Sequence, residues 1–317
     1  MIRHTVVDIF CGVGGISKGF EKAGYDVLLG IDNNNEALKV FKRNHPNAGV
    51  LNADIRDVTA SSIRELLKGI KIDILVGGPP CQGFSMAGKR DPSDPRNVLF
   101  YEFARLAKEL KPSWILIENV RGLASAKTVD GKLAIDVIKE SFVKDFEMKH
   151  YFVNSADFGV PQKRKRIIFV GSRKKTNFNF ELPKMSWKPV GPLIAGGKNV
   201  DKRYFYSRKL IRGFKKRERI NRQRGFGFRW QFLNPKEPSY TIPARYWKDG
   251  ANALVRYSDG GIRMLTEREC AQIQDLNPKA FSQTARKMAY TLIGNAVPPS
   301  VIEPFAKQIR LMPESFS

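Results

Sequence analysis

Short apolar runs alternate with amphipathic segments over the first half of the chain. TVVDIF at 5–10, YDVLLGID at 25–32, KIDILVGG at 71–78 and WILIEN at 114–119 are each too short for a helix and are bounded by glycine, proline or polar residues. Each predicts a buried strand. Between them GISKGFEKAG, NEALKVFKRNH, ASSIRELLKG and NVLFYEFARLAKELKP carry apolar residues at helical spacing, with closing signals such as Gly24 and Pro112. KLAIDVIKESFVKDF predicts a further helix and RIIFVGS a further strand. Strands alternating with helices of this length predict an α/β fold, a mainly parallel sheet covered by helices on both faces.

The pattern breaks after about Ser172. From Lys174 to Gly261 prolines, glycines and basic residues dominate and no clean periodicity survives, which predicts a second, irregular domain or a large insertion. Order returns at Thr266, where TERECAQIQDL predicts a helix with a Thr–Glu capping signal. KMAYTLIGNAVPPSVIEPFAKQIRLM predicts a closing helix.

Composition narrows the class. The chain has 317 residues, enough for one large domain or two smaller ones. It has no apolar stretch of about 20 residues, so no transmembrane helix is expected. The N-terminus lacks the long apolar region of a signal peptide. Cys11, Cys81 and Cys270 are odd in number and far apart, which predicts neither a disulfide framework nor a metal site, and a reducing cytoplasm is the expected compartment. The net charge of +24 argues for a polyanionic partner. The charge is concentrated: residues 201–229 hold twelve Lys or Arg against two acids, interleaved with Tyr204, Phe205, Tyr206, Phe214, Phe226 and Phe228. Arginines suit phosphates and guanine edges, and aromatic rings can stack on bases.

Several junctions carry candidate chemistry. Asp8-Ile9-Phe10-Cys11-Gly12-Val13-Gly14-Gly15 joins the first strand to the first helix, where glycines allow a tight turn and close ligand approach. Asp32 ends the second strand, where it can accept from ribose hydroxyls or cap the next helix. Asp54, in NADIRDV, ends a strand pattern lying between YDVLLGID and KIDILVGG, where an adenine amino group could be met, or serves a turn or cap. Cys81 follows two prolines in GGPPCQGFS. A lone cysteine is commonly a buried structural one, but the prolines and the GFS that follows argue for a rigid, exposed loop carrying a nucleophile. MAGKRDPSDPRN, next in the chain, suits a lid. Glu118 leaves the strand WILIEN as a candidate acid. In Gln162-Lys163-Arg164-Lys165-Arg166, alternation points Gln162, Arg164 and Arg166 to one side.

None of these pieces is decisive singly, but their order is. DIFCGVGG, PPCQGFS, IENV, QKRKR, RMLTEREC and IGNAVPP occur in one chain, which therefore resembles the cytosine-C5 DNA methyltransferases over about residues 5–172 and 263–310. Cys11 stands where alanine or serine is usual, and QIQDLNP departs from the family's turn. The resemblance implies a methyltransferase-type, Rossmann-like sheet domain at 1–175 and 286–317, and a smaller target-recognition domain at 176–285, with DNA in the cleft between.

The resemblance also assigns roles. Cys81 attacks carbon 6 of a cytosine flipped out of the duplex, Glu118 contacts ring nitrogen 3 and the exocyclic amine, Arg164 holds the base through its carbonyl oxygen, and Arg166 orders the site. Phe10, Gly12, Val13, Gly14, Gly15, Asp32, Asn33, Asp54, Ile55, Pro80, Leu99, Asn295 and Val297 fall where the family holds S-adenosylmethionine. Gln82, Ser85, Lys89, Arg90, Arg96, Thr241, Arg222, Arg224 and Arg229 are the expected DNA contacts. Double-stranded DNA is the implied partner, with a restriction endonuclease of the same site as a further one; no metal, no membrane and a monomer in the cytoplasm are expected. Two rivals remain: a tRNA-methylating relative, whose recognition region usually carries Cys-Phe-Thr, absent here, and a non-catalytic DNA-binding module, which the intact Cys81, Glu118 and Arg164 oppose. A nicotinamide oxidoreductase fits GVGG and PPCQ poorly.

Overall fold

The computed structural model of the chain describes residues 4–80, 99–128, 131–173, 176–225 and 230–312. The alternating pattern yields β1 (Thr5–Ile9), α1 (Gly15–Lys22), β2 (Asp26–Asp32), α2 (Asn35–Asn44), β3 (Gly49–Asn52), α3 (Ala60–Leu66), β4 (Ile74–Gly77), α4 (Leu99–Leu110), β5 (Trp114–Val120) and α5 (Ala134–Phe142) in turn. Two strands then follow without an intervening helix, β6 (Glu147–Asn154) and β7 (Lys165–Ser172). They form one seven-stranded sheet in the order β3-β2-β1-β4-β5-β7-β6. The pairs β1–β2, β2–β3, β1–β4 and β4–β5 are parallel, whereas β7 runs antiparallel to both β5 and β6.

Helices cover both faces, as the apolar runs require. On one face Val7, Ile9, Leu29, Ile31, Leu75, Ile115, Ile117, Ile167 and Phe169 pack with Ile63, Phe100, Phe103, Leu106, Ile138 and Phe142 of α3, α4 and α5. The alternate residues face the other way. There Gly30 leaves room for the Phe41 ring of α2, and Asp8 accepts from Ser17 Oγ of α1 at 2.6 Å.

The remaining elements are α6 (Arg208–Gln223), α7 (Tyr246–Asp249), β8 (Leu254–Arg256), β9 (Ile262–Met264), α8 (Glu267–Ile273), α9 (Arg286–Asn295) and α10 (Pro299–Leu311). The single closing helix expected from sequence is two, α9 and α10, because Pro298 and Pro299 interrupt it. By contacts the chain divides into two units. The first is Met1–Asn154, Lys165–Lys184 and Val297–Ser317; the second is Ser155–Arg164 and Met185–Ala296. In the first unit α10 returns to α1: Tyr25 Oη donates to Ala306 O at 3.1 Å, and Arg310 Nη1 to Ala23 O at 2.6 Å.

The second unit does contain regular structure where none was expected. Of the sixteen residues of α6 only Phe214 is buried, so its helical period shows in charge rather than in apolar spacing. The unit's interior is organised by a buried ion pair. Arg263 donates from Nη1 to Glu269 Oε2 at 2.8 Å and from Nη2 to Glu269 Oε1 at 2.7 Å. Arg263 also reaches Met264 O, Ala195 O and Tyr257 Oη, while Glu269 accepts from the backbone of Thr266 and Ala195. The Thr266–Glu269 capping box expected from sequence is therefore formed, and its glutamate has a second partner. Bidentate geometry and satisfied lone pairs are what make such a pair tolerable away from water.

Removing one charge should leave the other buried without its counterion. Glu269→Gln is expected to lower the second unit's stability by about 3–5 kcal/mol. Urea unfolding followed by tryptophan fluorescence checks this, since Trp187, Trp230 and Trp247 lie in that unit; a loss below about 1 kcal/mol would show that the pair is not what holds it.

Candidate active site

Strand register assembles the first unit's site. Ile31, Ile9, Gly77 and Ile117 are aligned across β2, β1, β4 and β5. Asp32, Phe10, Gly78 and Glu118 each follow this rung by one residue, at the edge where β1, β2 and β4 end; β5 runs on two residues further, to Val120. The strand order reverses between β1 and β4, and a crevice at such a reversal is where open α/β sheets take ligands.

The turn after β1 is unusual. Phe10 has φ +61°, uncommon for an aromatic residue, and Gly12 and Gly14 follow at +54° and +84°. Its backbone is tied to β2: Cys11 N–H donates to Ile31 O at 3.1 Å and Gly12 N–H to Asp32 Oδ2 at 2.9 Å. Asp32 Oδ1 accepts from Asn34 N–H at 2.8 Å. Burial raises the Asp32 carboxyl, and these backbone hydrogen bonds work against that rise. No described atom beyond its chain neighbours lies within 4 Å of where a Cβ on Gly12 would stand, so the turn faces open space there. An open glycine turn beside a carboxylate fits a ligand that carries ribose hydroxyls.

On the other side of the reversal, Asn119 Nδ2 donates to Pro79 O at 3.0 Å, which ties the Gly-Pro-Pro run to β5. The Glu118 carboxylate lies against Gly78, whose Cβ would stand 3.5 Å from Oε2. Arg166 enters from β7, where it pairs with Val120, and its Nε lies 2.8 Å from Glu118 Oε1. Burial lowers the Arg166 guanidinium from its usual range, and the neighbouring Glu118 opposes that shift.

The other expected ligand-binding residues of this unit are distributed unevenly. Val13 is buried and Asn33 is exposed; Pro80 and Leu99, which opens α4, are half-buried. Asp54 caps the turn Ile55–Asp57, and hydrogen bonds from Arg56 hold its carboxyl down at about 2. Ile55 is part of the main core. Val297 and Gly15 are in backbone contact. Asn295, at the end of α9, belongs to the second unit and is exposed. Cys81, Gln82, Ser85, Lys89, Arg90, Arg96 and Arg229 lie outside the described residues.

In the second unit the Gln162–Arg164 segment lies along Ser239–Thr241. Ser239 N–H donates to Pro161 O at 2.9 Å, Lys163 N–H to Ser239 O at 2.8 Å, and Thr241 Oγ1 to Lys163 O at 2.8 Å. Gln162 and Arg164 are both buried. Gln162 donates to Gln274 Oε1 and accepts from Ile242 N–H, and Gln274 in turn donates to Ala296 O at 2.5 Å. Gln274, fully buried at the C-cap of α8, is absent from the sequence-based set. Its one signal was a polar side chain on the helix's apolar spacing. Arg222 and Arg224 are exposed at the end of α6. Among the described residues no group of three or more His, Cys, Asp or Glu is placed to hold a metal ion, and no helix is long and apolar enough to cross a membrane.

Asp8 lies one position before the end of β1. Only its Oδ2 has a hydrogen-bond partner among the described residues, and burial raises its carboxyl to about 7, with Ser17 opposing and Asp32 adding to the rise. A carboxyl raised on folding favours the protonated folded state, so its contribution is whole below about 4 and lost as pH rises through about 7. Asp8→Asn should therefore gain stability relative to the parent between pH 4 and 8, by on the order of 4 kcal/mol. Urea midpoints across that range test this; a constant difference would refute a titrating Asp8.

Comparison with known proteins supplies the rest. A family model described as C-5 cytosine-specific DNA methylase matches residues 4–311. The chain is 32% identical over 313 residues to Type II methyltransferase M.DsaV of Dactylococcopsis salina, covering 96% of this chain and 85% of the relative. It is also 32% identical over 319 residues to Type II methyltransferase M.SsoII of Shigella sonnei, covering 97% and 80%. Among solved structures, the Entamoeba histolytica methyltransferase EhMeth superposes with a TM-score of 0.78 at 18% identity, over 99% of this chain and 100% of that one, a likeness of fold.

Proposed function

The chain belongs to the C-5 cytosine-specific DNA methylase family, and from that premise we propose that it flips a cytosine out of a specific duplex site and methylates carbon 5 with S-adenosylmethionine as donor. The observation that carries this reading is the row Asp32, Phe10, Gly78 and Glu118 at one sheet edge, which joins an open glycine turn, an acid paired with arginine and the two prolines that lead into Cys81.

Cytosine carbon 5 is a weak nucleophile. A Cys81 thiolate added to carbon 6 makes carbon 5 enamine-like, and a thiolate is suited to this because it both adds and leaves readily. Glu118 holds ring nitrogen 3 and the exocyclic amine and stabilises the charge that forms there. Arg166, 2.8 Å from Glu118, keeps that carboxylate oriented as a positioning residue. Arg164 holds the base through its carbonyl oxygen. Loss of the carbon-5 proton and departure of Cys81 restore the enzyme. When bound, S-adenosylmethionine supplies a sulfonium methyl as the electrophile. The open glycine turn, Asp32 and the neighbouring Pro80, Leu99 and Val297 would hold it, with Asp32 accepting from ribose hydroxyls and Asp54 and Ile55 near the adenine.

Extrusion of a base costs a few kcal/mol, which contacts to the DNA must offset. The basic α6 with Arg222 and Arg224, and Thr241 beside Gln162–Arg164, are the second unit's candidates for those contacts, so this unit is read as the target-recognition domain. The relatives' Type II names support a setting in restriction–modification, with a restriction endonuclease of the same site as partner. A monomer in the cytoplasm, associated with the nucleoid, completes the reading.

Incubation with methyl-labelled S-adenosylmethionine, duplex DNA and tRNA in parallel tests the reaction. Label is expected in 5-methyldeoxycytidine of DNA, and label confined to tRNA would overturn the choice of substrate. Duplex containing 5-fluorocytosine should trap a covalent adduct on Cys81. Cys81→Ala should abolish both adduct and turnover while S-adenosylhomocysteine still binds; an adduct on another cysteine would refute the assignment.

A further inference from the structure

The glycine turn is gripped from outside by two consecutive side chains at the end of α2. Asn44 Nδ2 lies 2.8 Å from Val13 O, and His45 Nε2 lies 3.0 Å from Gly14 O. His45 Nδ1 is 2.6 Å from Glu21 Oε1, and Glu21 is bonded through its other oxygen to Lys18 at 2.8 Å. Both ring nitrogens thus lie within hydrogen-bond distance of a partner, so the ring is held on both sides. Burial alone would raise the Glu21 carboxyl, yet hydrogen bonds from His45 and Lys18 hold it below the usual range.

His45 is 1% exposed and packs on Phe41 with ring centroids 4.6 Å apart. The space it fills is the space Gly14 leaves. A Cβ on Gly14 would stand 2.3 Å from His45 Nε2, and at φ +84° the residue suits glycine alone. The turn therefore has its two outer carbonyls fixed by α2, while on its inner side Gly12 N–H is fixed by Asp32.

We propose that Asn44 and His45 are positioning residues for the cofactor: they fix the Val13 and Gly14 carbonyls and so hold the glycine turn in the shape that receives the adenosyl group. The inference rests on the reading of this turn as the S-adenosylmethionine site. Neither side chain touches the ligand; each lowers the ordering cost that binding would otherwise meet in a glycine-rich segment.

Calorimetric titration of S-adenosylhomocysteine into the full chain separates this role from simple packing. In His45→Gln the amide can still donate to Gly14 O, so its Kd should stay within about twofold of the parent. The shorter His45→Asn keeps only the Glu21 side and should bind about tenfold more weakly, and Asn44→Leu similarly. For the weakened variants KM for S-adenosylmethionine should rise in step, with kcat at saturation and KM for DNA unchanged. Parent-like binding by His45→Asn, or equal losses in the Gln and Asn variants, would overturn the proposal in favour of a packing role. Absence of binding by the parent chain would instead overturn the cofactor reading, and the inference with it.

Discussion

Parallel strands share a direction, so their carboxyl ends must meet along one edge, and a fixed register decides which residues stand side by side there. Here one rung, Ile31, Ile9, Gly77 and Ile117, determines everything beyond it. Asp32, the glycine turn, the Gly-Pro-Pro run and Glu118 come from segments more than eighty residues apart at the extremes, yet each needs only to follow its strand by one step. A slip of one residue in β4 or β5 would turn each of its side chains to the opposite face. The fully buried apolar faces of these strands prevent that slip, so the core that stabilises the sheet also sets the geometry of its edge.

That edge gathers charge in a dry place, and each charge has an arrangement that makes it tolerable. Asp32 accepts backbone N–H groups, and Glu118 has the guanidinium of Arg166. Asp8, with one hydroxyl partner, is instead raised toward neutrality. The antiparallel strand β7 matters here. Because it reverses direction beside β5, its first residues, rather than its last, lie beside the end of β5, and Arg166 reaches Glu118 from there. The second unit solves the same problem internally with Arg263 and Glu269, each hydrogen-bonded on several sides.

The parts of this structure legible in sequence are those where burial writes a pattern. Strands β1, β2, β4, β5 and β7 and helices α1 to α5 were all marked by apolar runs or helical spacing. Strand β6 was not, because EMKHYFVN lies at the sheet's edge with nearly every residue partly exposed, and its alternation is blurred by lysine and histidine. Helix α6 was hidden for a related reason, with Phe214 its one buried residue. Of the site, Asp32, Glu118 and the glycine turn could be found because they sit at strand ends. Gln274, Asn44 and His45 act by holding other residues, and a holding role leaves no spacing to detect.

Ser155–Arg164, the connection between β6 and β7, belongs to the second unit although both strands belong to the first. There Gln162 is locked to Ile242 and Gln274, and Lys163 to Ser239. The second unit is therefore not a single cassette in the gene. A chimaera that exchanged only 185–296 between two such chains would install a foreign surface against a native Gln162–Arg164 strip, with mismatched amide partners at its centre. Modular exchange of this unit requires two cuts in each of two places, and changes in the short strip and in the long segment must stay in step.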